Sequence, residues 1–198
     1  QAARADATAL GAVVVRCAGG MALAQDGVAR IDTGVALADD ARFNIGSNAK
    51  SMLASLAATF VRDRLLSWDT TIEDVLAVEA ATLHPSLRQA TLEQLLSHRS
   101  GAPAFSSGAE LSSVEVQGET ASAQRLHFAL QVLRAPPAQE PGSGFLYSNA
   151  GYVIAGVLLE RVGGKPFEDL MRERLFSPLG MGSANFGAPS PSDEGQPI

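Results

Sequence analysis

Apolar spacing changes character at Ser47, and that change limits the fold more than any other feature of the sequence. Before it, "GAVVVRC" (11–17) is β-branched and continuously apolar, and "GMALAQDG" and "VARIDTG" follow with turn residues between them. These segments predict antiparallel strands over 11–37 joined by tight turns. After it, Met52, Leu53, Leu56, Ala57, Phe60, Val61 and Leu65 recur at three- and four-residue spacing. That period predicts a long helix with one apolar face.

Helical patterns continue to about residue 185. In "TLEQLLSHRSG" (91–101), Thr91 stands as cap, Gln94 in the capping-box position and Gly101 just past the end. A helix over 121–134 stops at Pro136-Pro137. Another carries Val153, Ile154, Val157, Leu158 and Val162 on one face and ends at Gly163-Gly164, and one more covers 166–176. Residues 105–120, rich in Ser, Gly and Glu, predict an exposed loop, and 186–198 an irregular tail. Strands followed by a helix-rich stretch is an α+β order rather than alternating βαβ units. The expectation is one domain over 1–198, with strands in 11–37, helices in 47–185 and the tail in 186–198.

Several function classes are disfavoured. Net charge is −6 and the basic residues are scattered, which argues against nucleic acid. No apolar run approaches the roughly 20 residues of a membrane helix. Cys17 stands alone, so neither an internal disulfide nor a cysteine-pair metal site is available. His84, His98 and His127 lie far apart without paired spacing and are expected at the surface or in turns. No metal and no cofactor are expected. The opening "QAARADATAL" suits a mature N-terminus or an arbitrary boundary equally. The expected compartment is periplasmic or secreted, with cytoplasmic left open.

Only two lysines occur, Lys50 and Lys165, and the first lies three residues after Ser47. Serine is a favoured helix cap, and residues three apart are helical neighbours. A hydroxyl at that site faces the positive end of the helix dipole, which favours a developing oxyanion. A lysine whose charge is disfavoured by burial can take the serine's proton, which a weak nucleophile needs. S-x-x-K also describes a capped helix with an exposed lysine. Further along, Tyr147-Ser148-Asn149 follows the glycine-rich "PGSGFL". A phenol can act as acid or base, and an asparagine amide offers both a donor and an acceptor to an amide substrate. A polar loop with an asparagine cap has the same sequence. Ser148 is left out of the candidate site, and Ser51 and Ser100 are assigned to helix surface and turn. No G-x-S-x-G occurs, which disfavours an α/β-hydrolase.

Together, "FNIGSNAKSMLASLAATFVRDRLLSWDTTIEDVL", "ATLEQLLSHRSGAP" and "PGSGFLYSNAGYVIAGVLLERVGGKPFEDLMRERLFSPLGM" resemble the serine β-lactamase and penicillin-binding protein superfamily. Within it they are similar to the class C β-lactamase, esterase and peptidase branch, where Y-x-N replaces S-x-N. The resemblance implies an antiparallel sheet with a helical subdomain. It implies that Ser47 attacks a carbonyl to form an acyl-enzyme, with Lys50 helping to deprotonate it. Tyr147 then relays the proton and Asn149 positions the substrate amide. Lys50 and Tyr147 both remain candidates for the base. The Ser47 backbone N–H would form half of an oxyanion hole.

The family's third triplet, Lys-Thr-Gly or His-x-Gly on a later strand, has no match: Lys165 is followed by Pro-Phe. The chain is therefore expected to lack the C-terminal strands and to turn over little alone. A complementing C-terminal segment is the expected macromolecular partner. The expected substrate is a small molecule: a β-lactam, a D-amino-acid peptide or a small ester. The alternative is a non-catalytic, ligand-binding or structural member of the same fold.

Overall fold

In the computed structural model, which describes residues 9–16, 20–28, 34–36, 38, 40–115 and 117–187, the strand and helical segments separate. The chain divides into two compact units, Gln1–Gly46 with Gly182–Ile198, and Ser47–Met181. In the first, β1 (Ala9–Arg16) pairs antiparallel with β2 (Gly20–Gly27), with Ala9 opposite Gly27 and Arg16 opposite Gly20. Of the predicted third strand, residues 29–33 lie outside the described residues, and Val28 at its start bridges Ala36. Cys17 and the tail from residue 188 lie outside the described residues.

A 3-10 turn, Gly46–Asn48, runs directly into α1 (Ala49–Arg62) of the second unit. Contrary to expectation, Ser47 is not its cap. Asn48 holds that position in helical backbone (φ −61°, ψ −23°) without a side-chain cap bond. A capping side chain needs an extended backbone at the boundary. Continuous winding removes that geometry and frees the Ser47 hydroxyl for other partners.

Short elements follow. Helices α2 (Ile72–Val75) and α4 (Leu92–Leu96) both start with capping boxes, Thr71 with Asp74 and Thr91 with Gln94. The second is the one read from the sequence. Between them lies α3 (Pro85–Arg88), whose cap is His84, its side chain accepting from the Ser86 N–H. The expected loop 105–120 contains a short helix, α5 (Gly108–Ser112). Ser107 and Glu110 explain it: the Ser107 hydroxyl accepts from the Glu110 N–H, and the carboxylate accepts from the Ser106 and Ser107 N–H groups. That S-x-x-E reciprocity is a helix start.

Helix α6 (Ala121–Arg134) matches its predicted span, capped by Thr120. Helix α7 (Asn149–Gly163) buries Ala150, Gly151, Ile154, Ala155, Gly156, Val157, Leu158 and Leu159, too many for a single face. It is accordingly packed on several sides, by α1, α4, α6 and α8 (Phe167–Met171). Leu53, Leu56 and Phe60 of α1, Leu92 and Leu95 of α4, Leu133 of α6 and Leu170 of α8 complete this core. Each such side chain contributes about 1.5–3 kcal/mol by leaving water. Gly163 permits the tightest approach: a Cβ there would stand 2.8 Å from Leu170 Cδ2 and 3.1 Å from Phe60 Cζ. Gly164 then ends α7 in the left-handed region (φ 64°), its N–H donating to the Glu160 carbonyl.

Polar bonds lock the same end. The Arg125 guanidinium of α6 forks to Glu160 of α7 and Glu168 of α8, each at 2.8 Å. Glu160 also accepts from the Ser122 hydroxyl and the Phe167 N–H. Beyond α8 the chain makes a π turn, Arg172–Phe176. No helix among the described residues is long and apolar enough to cross a membrane.

Candidate active site

Ser47 and Lys50 are neighbours because one helical turn separates them: Lys50 Nζ donates to Ser47 Oγ at 3.2 Å. Tyr147 reaches the same oxygen from a hundred residues away, its phenol donating at 2.8 Å. One serine oxygen thus receives both an ammonium and a phenol. Hydroxyls donate as well as accept, so the proton between Ser47 and Tyr147 can sit on either oxygen.

The segment carrying Tyr147 is held against residues 98–105. Leu146 N–H donates to the His98 carbonyl at 2.8 Å, and Ser148 N–H to His98 Nδ1 at 3.0 Å. Ser148 Oγ donates to the Pro103 carbonyl at 2.6 Å, and Asn149 N–H to the Ala104 carbonyl at 2.8 Å. Ser148 is extended (φ −139°, ψ 119°), so its flanking side chains turn away from its own. Its hydroxyl points inward, buried, and caps α7 by accepting from the Gly151 N–H. The sequence left Ser148 out of the site, and it proves to be the cap that sets Tyr147 and Asn149.

Gly101 is required beside this clasp. It lies in the left-handed region (φ 77°), and any Cβ would overlap the Gln139 carbonyl oxygen. Asn149 is anchored separately, its Nδ2 donating to the Phe105 carbonyl at 2.8 Å. That bond leaves Oδ1 as its remaining acceptor. No hydrogen bond among the described residues ties Asn149 to the Ser47–Lys50–Tyr147 trio.

Aromatic rings complete the surroundings. Lys50 Nζ stands 4.9 Å from the Tyr147 ring centroid and 5.6 Å from that of Tyr152, within cation–π range. The Tyr152 hydroxyl donates to the Leu96 carbonyl at 2.7 Å. His98, expected at the surface or in a turn, is half-buried, its ring centroid 4.5 Å from Tyr147 and 5.1 Å from Tyr152. Sequence spacing carried no sign of this, because the contacts are tertiary. Its one local clue was the place of His98 at the end of α4, within "LLSHRSG".

The electrostatics follow from the neighbours. Hydrogen bonding with Lys50, then with Ser47, holds the Tyr147 phenol below its ordinary value. Burial pushes the Tyr152 phenol up, and the nearby Tyr147 adds to the effect. Burial lowers His98 below the usual imidazole range, and the Lys50 charge lowers it further. Lys50 has no carboxylate partner among the described residues. Its ammonium donates to the Ser47 hydroxyl.

Known proteins identify the class: this fold is that of the serine β-lactamase/transpeptidase superfamily. The chain belongs to the Beta-lactamase family, whose model matches residues 1–196. Penicillin-binding protein 4 of Amycolatopsis lactamdurans is 32% identical over 155 residues, covering 78% of this chain and 39% of that protein. An unguisins hydrolase of Aspergillus violaceofuscus is 30% identical over 162 residues, covering 78% of this chain and 27% of its own length. Among solved structures, the D-amino acid amidase from Ochrobactrum anthropi SV3 complexed with L-phenylalanine amide superposes with a TM-score of 0.71 at 28% identity. That match covers 89% of this chain and 48% of the amidase chain. A penicillin-binding protein from Bacillus halodurans shares the fold at a TM-score of 0.72 and 24% identity, over 90% of this chain and 52% of the other. The chain thus spans well under half the length of these curated relatives.

Proposed function

We propose that this chain carries the acylating site of a serine hydrolase acting on amide, lactam or ester carbonyls. Ser47 is the nucleophile, Tyr147 takes its proton, and Lys50 supplies the positive charge that favours the phenolate. Asn149 orients the substrate through Oδ1, the acceptor that Phe105 leaves available. The supporting observation is the convergence of Lys50 Nζ at 3.2 Å and Tyr147 Oη at 2.8 Å on one serine oxygen. A capped surface helix would need neither contact.

The Tyr147 phenolate accepts the Ser47 proton while Oγ bonds to the carbonyl carbon, and the π pair moves to the carbonyl oxygen. Ser47 lies in the first turn before α1, where backbone N–H groups lack intrahelical acceptors and meet that oxyanion. Collapse breaks the bond to nitrogen or oxygen, and the Tyr147 proton passes to the leaving group. Water then attacks the acyl-serine with Tyr147 as base again, and Oγ departs with the proton. A β-lactam, a peptide with a D-amino acid or a small ester each present the required carbonyl. The amidase and penicillin-binding relatives support the amide and lactam members of that range.

The test is single-turnover. The folded chain is incubated with benzylpenicillin or p-nitrophenyl acetate and mapped by peptide mass spectrometry. An acyl adduct on Ser47, absent from Ser47→Ala, is the expected result. Acylation confined to other residues, or none from folded protein, contradicts the reading.

A further inference from the structure

The half-buried His98 lies between α4 and the segment carrying Tyr147, and it holds that segment in two ways. Its backbone carbonyl accepts from the Leu146 N–H at 2.8 Å and its Nδ1 from the Ser148 N–H at 3.0 Å, so the residues on both sides of Tyr147 are tied to one residue. Its ring meanwhile backs the Tyr147 ring, centroids 4.5 Å apart and tilted by 34°. Phe145 and Tyr152 flank the same imidazole at 5.6 Å and 5.1 Å. The backbone at His98 is left-handed (φ 59°), which non-glycine residues adopt only at some cost. A strained backbone, a side-chain acceptor and a ring contact on one residue make a device for placing its neighbour.

We propose that His98 is the positioning residue for Tyr147: a neutral imidazole that fixes the phenol over Ser47 and Lys50 by accepting the Ser148 N–H and stacking on the tyrosine ring. The proposal deepens the reading of Tyr147 as the proton-transfer group and rests on it for its catalytic meaning. An imidazole that accepts at Nδ1 carries its proton at Nε2, so protonation destroys the acceptor. The titratable groups facing it are Lys50 of α1, Tyr147 of the loop and Tyr152 of α7. A second proton would place an imidazolium beside the Lys50 ammonium while releasing the Ser148 N–H. Acylation therefore falls in acid as His98 gains its proton, below the ordinary imidazole range.

Two variants separate the parts. His98→Asn retains an acceptor and tolerates the left-handed backbone, but lacks the ring. His98→Phe retains a ring and lacks the acceptor. The chain has two tyrosines, so ¹³Cζ-tyrosine NMR follows both phenols, with Tyr152→Phe assigning them. Both His98 variants should move the Tyr147 pKa up toward its ordinary value, as the phenol loses its fixed place beside Lys50 and Ser47. Ser47 phosphonylation by a fluorophosphonate, in which Oγ bonds to phosphorus and fluoride leaves, read by mass spectrometry across pH 5–10, should slow roughly 10–100-fold in rate with little change in half-saturation. The limb due to His98 protonation, below the ordinary imidazole range, should be absent from His98→Asn, while the limb due to Tyr147 remains and moves up. An unchanged Tyr147 pKa in both folded variants overturns the proposal. A shifted Tyr147 pKa with no Ser47 labelling in wild type sustains the positioning role and removes the hydrolase reading instead.

Discussion

The two lysines of this chain occupy opposite electrostatic settings. Lys165 pairs with both oxygens of Glu173 at 2.7 and 2.8 Å, and both side chains are about half exposed. Lys50 has a serine hydroxyl at 3.2 Å and two tyrosine faces around it, with no carboxylate among the described residues. Arg125 extends the contrast, its guanidinium saturated by Glu160 and Glu168 at the far end of α7. Charges that serve the fold are neutralised by opposite charges. The Lys50 charge is instead directed at two hydroxyls, where it favours an oxyanion over a neutral oxygen.

Removing each cation tests that contrast. Lys50→Met should slow Ser47 acylation by about 10³-fold, roughly 4 kcal/mol of barrier. Rates with p-nitrophenyl acetate measure it, and Lys165→Met should stay within about twofold of wild type. Arg125→Met should have the next largest effect, on stability: about 2–3 kcal/mol, since two partly buried carboxylates lose their counter-charge. Denaturant unfolding measures that, and acylation per folded molecule should be unchanged.

Hydrogen bonding with Lys50 and then with Ser47 lowers the Tyr147 phenol, so its phenolate forms at lower pH than in free tyrosine. Acylation should therefore rise with pH to a midpoint below about 10, and that midpoint should move up in Lys50→Met. Smallest of all, Lys165→Met should cost less than about 1 kcal/mol by denaturant unfolding, as exposed pairs do. A stability loss at Lys165 equal to that at Arg125 would break the distinction between the two settings.

What the sequence made legible was local. Ser47 and Lys50 were readable because a helical turn fixes their spacing, and the Thr91–Gln94 box because its two bonds span three residues. The span of α6 followed from its apolar period and the prolines after it. Tyr147 is notable from its own chemistry, but only family resemblance joins it to Ser47, since nothing local links it to a serine a hundred residues earlier. The role of Ser47 at the helix start was misread, because sequence does not distinguish an extended cap from a 3-10 turn that continues into the helix. His98, Tyr152 and the Arg125 network were invisible for a common reason: their partners are 35 or more residues away.

The most direct measurement is the pH dependence of Ser47 acylation by p-nitrophenyl acetate, followed by mass spectrometry in wild type and Tyr147→Phe. If the phenol takes the serine proton, the wild-type rate climbs to a plateau below pH 10 and the variant is slower by about 10²–10⁴-fold, without that limb. Equal rates and superimposable profiles for the two proteins would contradict the account.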